Sequence, residues 1–225
     1  MAGADVFNAN SLIYTPQGAT QNVSARSDNF GDLGVNKVFG DYSELNRNGN
    51  LYIATSATTS DAGIAGVVAL PTTTSGRVLY NAAAAASGIV LEVLEIGVSL
   101  KSGTGGVGLT ILAGLAGGVL ATPLTANGSA MTCMSMLDGV TKDSTTFTDI
   151  NKTVVQPVYH MLAPTFPTTA TFGVGGGATA SVKGMFYIRP QNVLDVSVLG
   201  PTGSSPVFFV SIVYAKIKRD LGTPQ

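Results

Sequence analysis

From Asn50 onward the chain is cut into about ten short apolar runs by clusters of Gly, Pro, Thr and Ser recurring roughly every 8–12 residues. Runs this short leave no room for ordinary helices, and no apolar stripe with a 3.6-residue period joins them. They predict strands at Leu51–Thr55, Ile64–Leu70, Arg77–Asn81, Ile89–Leu100, Val154–Met161, Thr169–Val174, Val182–Ile188, Val193–Leu199 and Val207–Ile217. Gly108–Leu115, an Ala-Gly-Gly turn and Val119–Thr125 predict a hairpin. Many short strands without an amphipathic helix imply an all-β antiparallel β-sandwich, and an eight-stranded jelly roll with extra hairpins is the specific expectation. No internal repeat points to a propeller or β-helix.

Individual runs say where the core lies. In Val193–Leu199, Leu194, Val196 and Val198 share one face and Asp195 and Ser197 the other. In Val207–Ile217 both faces are apolar, Phe208, Val210, Ile212 and Tyr214 on one and Val207, Phe209 and Val213 on the other. Ile89–Leu100 is apolar on both faces in its first half, which predicts burial from both sides there. Ala82–Ala86 has helical propensity, but it is too short to hold a helix between Asn81 and Ser87-Gly88, so a loop or one turn is expected.

Residues 1–48 differ from the remainder. They are rich in Asn, Asp, Gly and Ser and keep no period. The chain is therefore expected to divide into an extended N-terminal arm, 1–48, and a sandwich domain, 49–225. The isolated apolar residues Phe7, Leu12, Ile13, Tyr14, Phe30, Leu33, Phe39 and Tyr42 are the arm's candidate interaction residues. Alone they do not offset the ordering of the backbone, which costs about 1–2 kcal/mol per residue. The arm is thus expected to order against a partner.

Only 11% of the 225 residues are charged, the net charge is −1, and hydrophobic residues make up 45%. A surface so low in charge favours association, and a homotrimer covering the second face of the last strand is the expectation. Lys and Arg form no stripe, so no direct nucleic-acid contact is expected. The uncharged stretch Ser102–Leu137 is interrupted by glycines and Pro123, which argues against a membrane span. Met1–Asn10 lacks the pattern of a secretory leader, and a single cysteine forms no intrachain disulfide; synthesis in a host cytoplasm fits both.

Groups that do chemistry are sparse. Cys133 lies among Met131, Met134 and Met136, the setting of an inert apolar thiol. His160 is the sole histidine, flanked by Tyr159 and Met161. A Cys133–His160 nucleophile pair is conceivable, yet a packed or surface histidine is the simpler expectation. One Cys and one His do not make a zinc site. Asp138, Lys142, Asp143 and Asp149 read as a solvated loop, without the alternating ligand spacing of a calcium site. Glu92 and Glu95 fall on opposite faces of one strand, which does not support a paired-carboxylate centre. Gly103–Gly108 lacks the Lys-Ser or Lys-Thr of a phosphate loop. The expectation is no enzyme, no catalytic residue, no cofactor and no metal.

Asp41-Tyr42-Ser43-Glu44 followed by Gly49-Asn50-Leu51-Tyr52, then Arg77-Val78-Leu79-Tyr80-Asn81 with Ile89-Val90-Leu91-Glu92-Val93, and an ending from Tyr187-Ile188-Arg189-Pro190 through the last two strands resemble jelly-roll virion structural proteins of tailed phages. The likeness covers about half of the chain. It departs at Ala82–Ala86, where that group's pattern has an Asn-Pro-type loop. The resemblance implies a capsid cement or decoration protein, often trimeric, bridging major capsid protein subunits on the virion surface. The alternative is a tail-fibre or receptor-binding module. The absence of Trp and the presence of only 7 Tyr count against a sugar-binding platform.

Overall fold

The computed structural model describes residues 42–55, 62–71, 76–104, 109–116, 132–150, 154, 158–162, 176–200 and 205–218, and the backbone course of 12–14, 20–22, 25–27 and 33–35. The chain divides into two compact units, Met1–Glu44 and Leu45–Gln225.

In the first unit, β1 (Leu12–Tyr14) pairs with β2 (Thr20–Asn22), and β3 (Ala25–Ser27) with β4 (Leu33–Val35), both antiparallel. Three-residue strands are too short to leave a two-residue period, so the sequence gives no sign of them. A one-turn helix, α1 (Ser43–Arg47), follows.

The second unit is an all-β antiparallel sandwich. Its strands are β5 (Leu51–Thr55), β6 (Ile64–Ala65), β7 (Arg77–Asn81), β8 (Ile89–Ser102), β9 (Thr110–Ala116) and β10 (Thr132–Ser135). They continue as β11 (Thr146–Ile150), β12 (Val158–Leu162), β13 (Gly177–Ser181), β14 (Tyr187–Ile188), β15 (Val193–Leu199) and β16 (Val207–Lys218). The larger sheet runs β10-β5-β16-β8-β13, with β14 on β8 and β6 on β16; the smaller runs β11-β7-β15-β9-β12.

One core fills the space between them. Leu91, Val93, Ile96, Phe208 and Ile212 of the larger sheet meet Leu79, Ile111, Leu194, Val196 and Val198 of the smaller. Strand β16 alternates as expected, with Phe208, Val210, Ile212 and Tyr214 buried and Val207, Phe209, Ser211 and Val213 half-buried. The smaller sheet is also covered on its outer face, where Val78, Tyr80, Ala116 and Val193 pack with Val154.

Strand β8 departs from its predicted geometry. Val213 pairs with Glu95 but Tyr214 with Val93, so Leu94 is an extra residue in a β-bulge. The bulge reverses the alternation. Leu91 and Val93 before it, and Ile96, Val98 and Leu100 after it, all enter the same core. The first half is buried on both sides as expected, with Val90 buried next to Leu91 and Leu94 next to Val93, but the bulge changes which residues face the core. The bulge also sets Glu92 and Glu95 on one side of the sheet, opposite Ala215 and Val213, correcting the reading that placed them on opposite faces. Both are half-buried.

Three other predicted runs change. Ile64–Leu70 is a strand only over Ile64–Ala65. Val182–Ile188 is not one strand: the chain turns at Lys183–Met185, with Gly184 at φ +75° and the Met185 N–H donating to the Val182 carbonyl at 2.9 Å. Of the run Val154–Met161, the part from Val158 onward forms strand β12, Val154 lies in no strand, and 155–157 lie outside the described residues. Ala82–Ala86 contributes to a single 3-10 turn, Ala85–Ser87, ended by Gly88 at φ +68°. Thr169–Val174 and Val119–Thr125 lie outside the described residues. Among the described residues no helix is long and apolar enough to cross a membrane.

Candidate functional site

Between β10 and β11 lie Asp138, Lys142 and Asp143, which the sequence presents as part of a solvated loop. β10 extends the larger sheet beside β5, and β11 extends the smaller beside β7. The chain between them, 136–145, therefore crosses from one sheet to the other. Its first part is a tightly bonded turn. The Ser135 N–H donates to the Thr141 carbonyl at 2.8 Å and the Gly139 N–H to the Ser135 carbonyl at 2.9 Å. Asp138 Oδ1 accepts the N–H groups of Val140 and Thr141, each at 2.9 Å. These bonds, that from the Thr141 hydroxyl first, hold the Asp138 carboxyl down at about 2. The turn exposes three apolar side chains: Met136 at 42%, Leu137 at 56% and Val140 at 74%. The turn thus presents three apolar side chains to solvent on a backbone fixed by hydrogen bonds, a firm apolar tip.

Behind the tip Asp143 is buried, which corrects its reading as a solvated loop residue. Lys216 Nζ of β16 lies 2.8 Å from its Oδ1 and donates also to Thr145 Oγ1 at 2.6 Å. The Tyr214 hydroxyl donates to Asp143 Oδ2 at 3.1 Å, and the Thr145 N–H to Oδ1 at 2.9 Å. Tyr52 stacks on Tyr214 with ring centroids 5.6 Å apart, and Lys216 Nζ lies over the Tyr52 ring. The network ties the root of the tip to the last strand.

Burial alone would raise the Asp143 pKa; the hydrogen bonds from Lys216 and Thr145 and the Lys216 charge outweigh it, and the net shift is downward. A depressed carboxylate stabilises the fold fully above its unfolded pKa, about 3.9, and loses that contribution as pH falls through the lower folded value. Unfolding free energy is therefore expected to fall with pH below about 4. Asp143→Asn should flatten part of this slope in urea titrations run at several pH values. An unchanged slope would contradict the assignment.

Cys133 lies beside this network. Burial pushes its thiol up to about 12, so it stays protonated at neutral pH. Tyr214 is raised as well, first by burial and then by the neighbouring Cys133 and Asp143, and remains a donor. His160 stands on β12, the far edge strand of the other sheet, packed edge-on against Phe186 with centroids 5.6 Å apart. The Cys133–His160 pair is thus not formed.

A second polar cluster lies on the outer face of the smaller sheet. Tyr159 of β12 donates its hydroxyl to Asp195 Oδ2 of β15, reaching across β9 at Gly114. A Cβ on Gly114 would stand 2.9 Å from Tyr159 Cδ1 and 2.8 Å from the Val158 carbonyl oxygen. Ser197 Oγ accepts the Gly76 N–H at 3.1 Å and donates to Asp195 Oδ2 at 3.3 Å. Burial, followed by the Asp195 charge, raises the Tyr159 pKa. This cluster fixes the register of three strands.

The predicted arm residues are placed only in part. Leu12, Ile13 and Tyr14 form β1 and Leu33 begins β4. Tyr42 is half-buried just before α1. Phe7, Phe30 and Phe39 lie outside the described residues. Among the described residues no group of three or more His, Cys, Asp or Glu is placed to hold a metal ion. Comparison with family models, curated proteins and solved structures finds no match to this chain.

Proposed function

We propose that this protein is a non-enzymatic structural component of a tailed-phage virion, a cement or decoration protein that docks on major capsid protein subunits at the head surface. The fold reading behind it is a jelly roll. Eight strands support it, ordered β5-β16-β8-β13 over β7-β15-β9-β12: the chain changes sheet at every step but β9 to β12, which are neighbours in the smaller sheet, and its first and last strands lie side by side. The pair β10 and β11, one on each sheet, is an insertion between β9 and β12.

The observation that carries the functional reading is the braced apolar tip. Met136, Leu137 and Val140 stand exposed on a turn held by Asp138 and anchored through Asp143 to β16. A rigid apolar tip binds without a large ordering cost, and burial contributes about 25 cal/mol per Å² of apolar surface. A contact of modest size, repeated over a lattice, reinforces the shell. The arm residues Phe7, Leu12, Ile13, Tyr14, Phe30, Leu33, Phe39 and Tyr42 supply a second contact in this reading.

The test is binding of purified protein to heads that lack it. The double variant Leu137→Asp, Val140→Asp changes only exposed side chains and should fold normally. It is expected to bind at least tenfold more weakly. Unchanged binding would remove the tip from the reading.

A further inference from the structure

Strand β12 ends the smaller sheet, and no described strand pairs with its outer side. Natural edge strands are commonly guarded by charge, proline or a bulge. β12, Val-Tyr-His-Met-Leu, has no Lys, Arg, Asp, Glu or proline, and its pairing with β9 is regular over all five residues. Val158 is 70% and Met161 65% exposed, on opposite faces of the strand, and His160 is exposed between them. The other edge strands differ. β10 buries Cys133 and Ser135, β11 buries Thr146 and Thr148, and β13 carries only Gly, Ala, Thr and Ser.

We propose that β12 pairs antiparallel with β12 of a second copy of this chain, about a two-fold axis at His160, joining two five-stranded sheets into one. A second copy fits because the strand is uncharged: self-pairing sets no like formal charges against each other, and a charged partner strand would find no counter-charge here. A two-fold axis normal to the sheet keeps each face with itself, so opposed residues share a face. Centring it on His160 is the register that pairs all five residues. Exposed Val158 then meets Leu162 of the other copy, and exposed Met161 meets Tyr159, a sulfur–aromatic contact. The five-residue ladder is smaller than the roughly 800 Å² per partner of a standard stable interface. The contact is therefore weak in solution, at micromolar affinity or below, and strengthened wherever copies are held close together. It holds independently of the capsid reading.

Single cysteines test the register. His160→Cys, Val158→Cys and Met161→Cys all change exposed positions, and the buried Cys133 is common to all three. Only position 160 lies opposite itself, within the Cα separation a disulfide requires. On mild oxidation of the full chain, His160→Cys is expected to give at least fivefold more covalent dimer than either control. Equal or lower yield, with circular dichroism showing all three folded, would overturn the proposal. A second measurement uses native cysteines only: Met161→Asp should weaken self-association in sedimentation at least tenfold, and no change would also overturn it.

Discussion

Replacing Asp143 with alanine is expected to lower the unfolding free energy by about 2–4 kcal/mol. The carboxylate is buried and accepts from Lys216 Nζ, the Tyr214 hydroxyl and Thr145. Its removal strands a phenol and an ammonium together, and an unpaired buried partner costs more than an intact pair contributes. The loss stays below that of a fully buried ion pair because the Lys216 side chain is 21% exposed and recovers some hydration. Asp143→Asn keeps the shape and part of the hydrogen bonding, so a smaller loss of about 1–2 kcal/mol is expected. Urea midpoints at neutral pH measure both. An Asp143→Ala variant within about 0.5 kcal/mol of the parent, the range of ordinary surface substitutions, would show that the network does not anchor the tip.

Gly114→Val should destabilise the sandwich by about 3–5 kcal/mol, combining overpacking with the loss of a charged hydrogen bond. The added Cβ meets the Val158 carbonyl oxygen at 2.8 Å, a backbone atom of the neighbouring strand that no side-chain rotation can move aside. The same carbon closes the gap through which Tyr159 reaches Asp195. Tyr159→Phe separates the two effects: it leaves the strands in place and should cost about 1.5–3 kcal/mol. If Gly114→Val proved no worse than Tyr159→Phe, strand β9 would have to shift freely, contrary to its pairing with both neighbours.

The strands that could be read from sequence are those whose apolar residues face the core in simple alternation. β15 matches its predicted bounds, and β16 exceeds its own by one residue; β7 matches as well, though it is buried on both faces. Where an inward face is polar, the signal vanishes: β11 buries Thr146 and Thr148, so its pattern reads as a loop. The bulge at Leu94 adds one residue, and the alternation of β8 then gave the wrong face for Leu91, Val93 and Glu92. The Asp143 network was hidden for a different reason. Its partners Tyr214 and Lys216 lie 71 and 73 residues away in sequence, and only the sheet order brings them together. The sequence presents the stretch around Asp138 only as a solvated loop; the Asp138-Gly139 pair carries turn chemistry that marks the turn, but nothing in the sequence tells that Met136, Leu137 and Val140 are exposed on it.

A structural protein repeated over a virus shell, as proposed, is revealed most directly by its copy number in purified particles. Quantitative mass spectrometry of intact particles, calibrated on the major capsid protein, is expected to find hundreds of copies of this chain per head, retained on mature heads stripped of tails. Absence from particles, or a few copies that leave with the tail, would contradict the account.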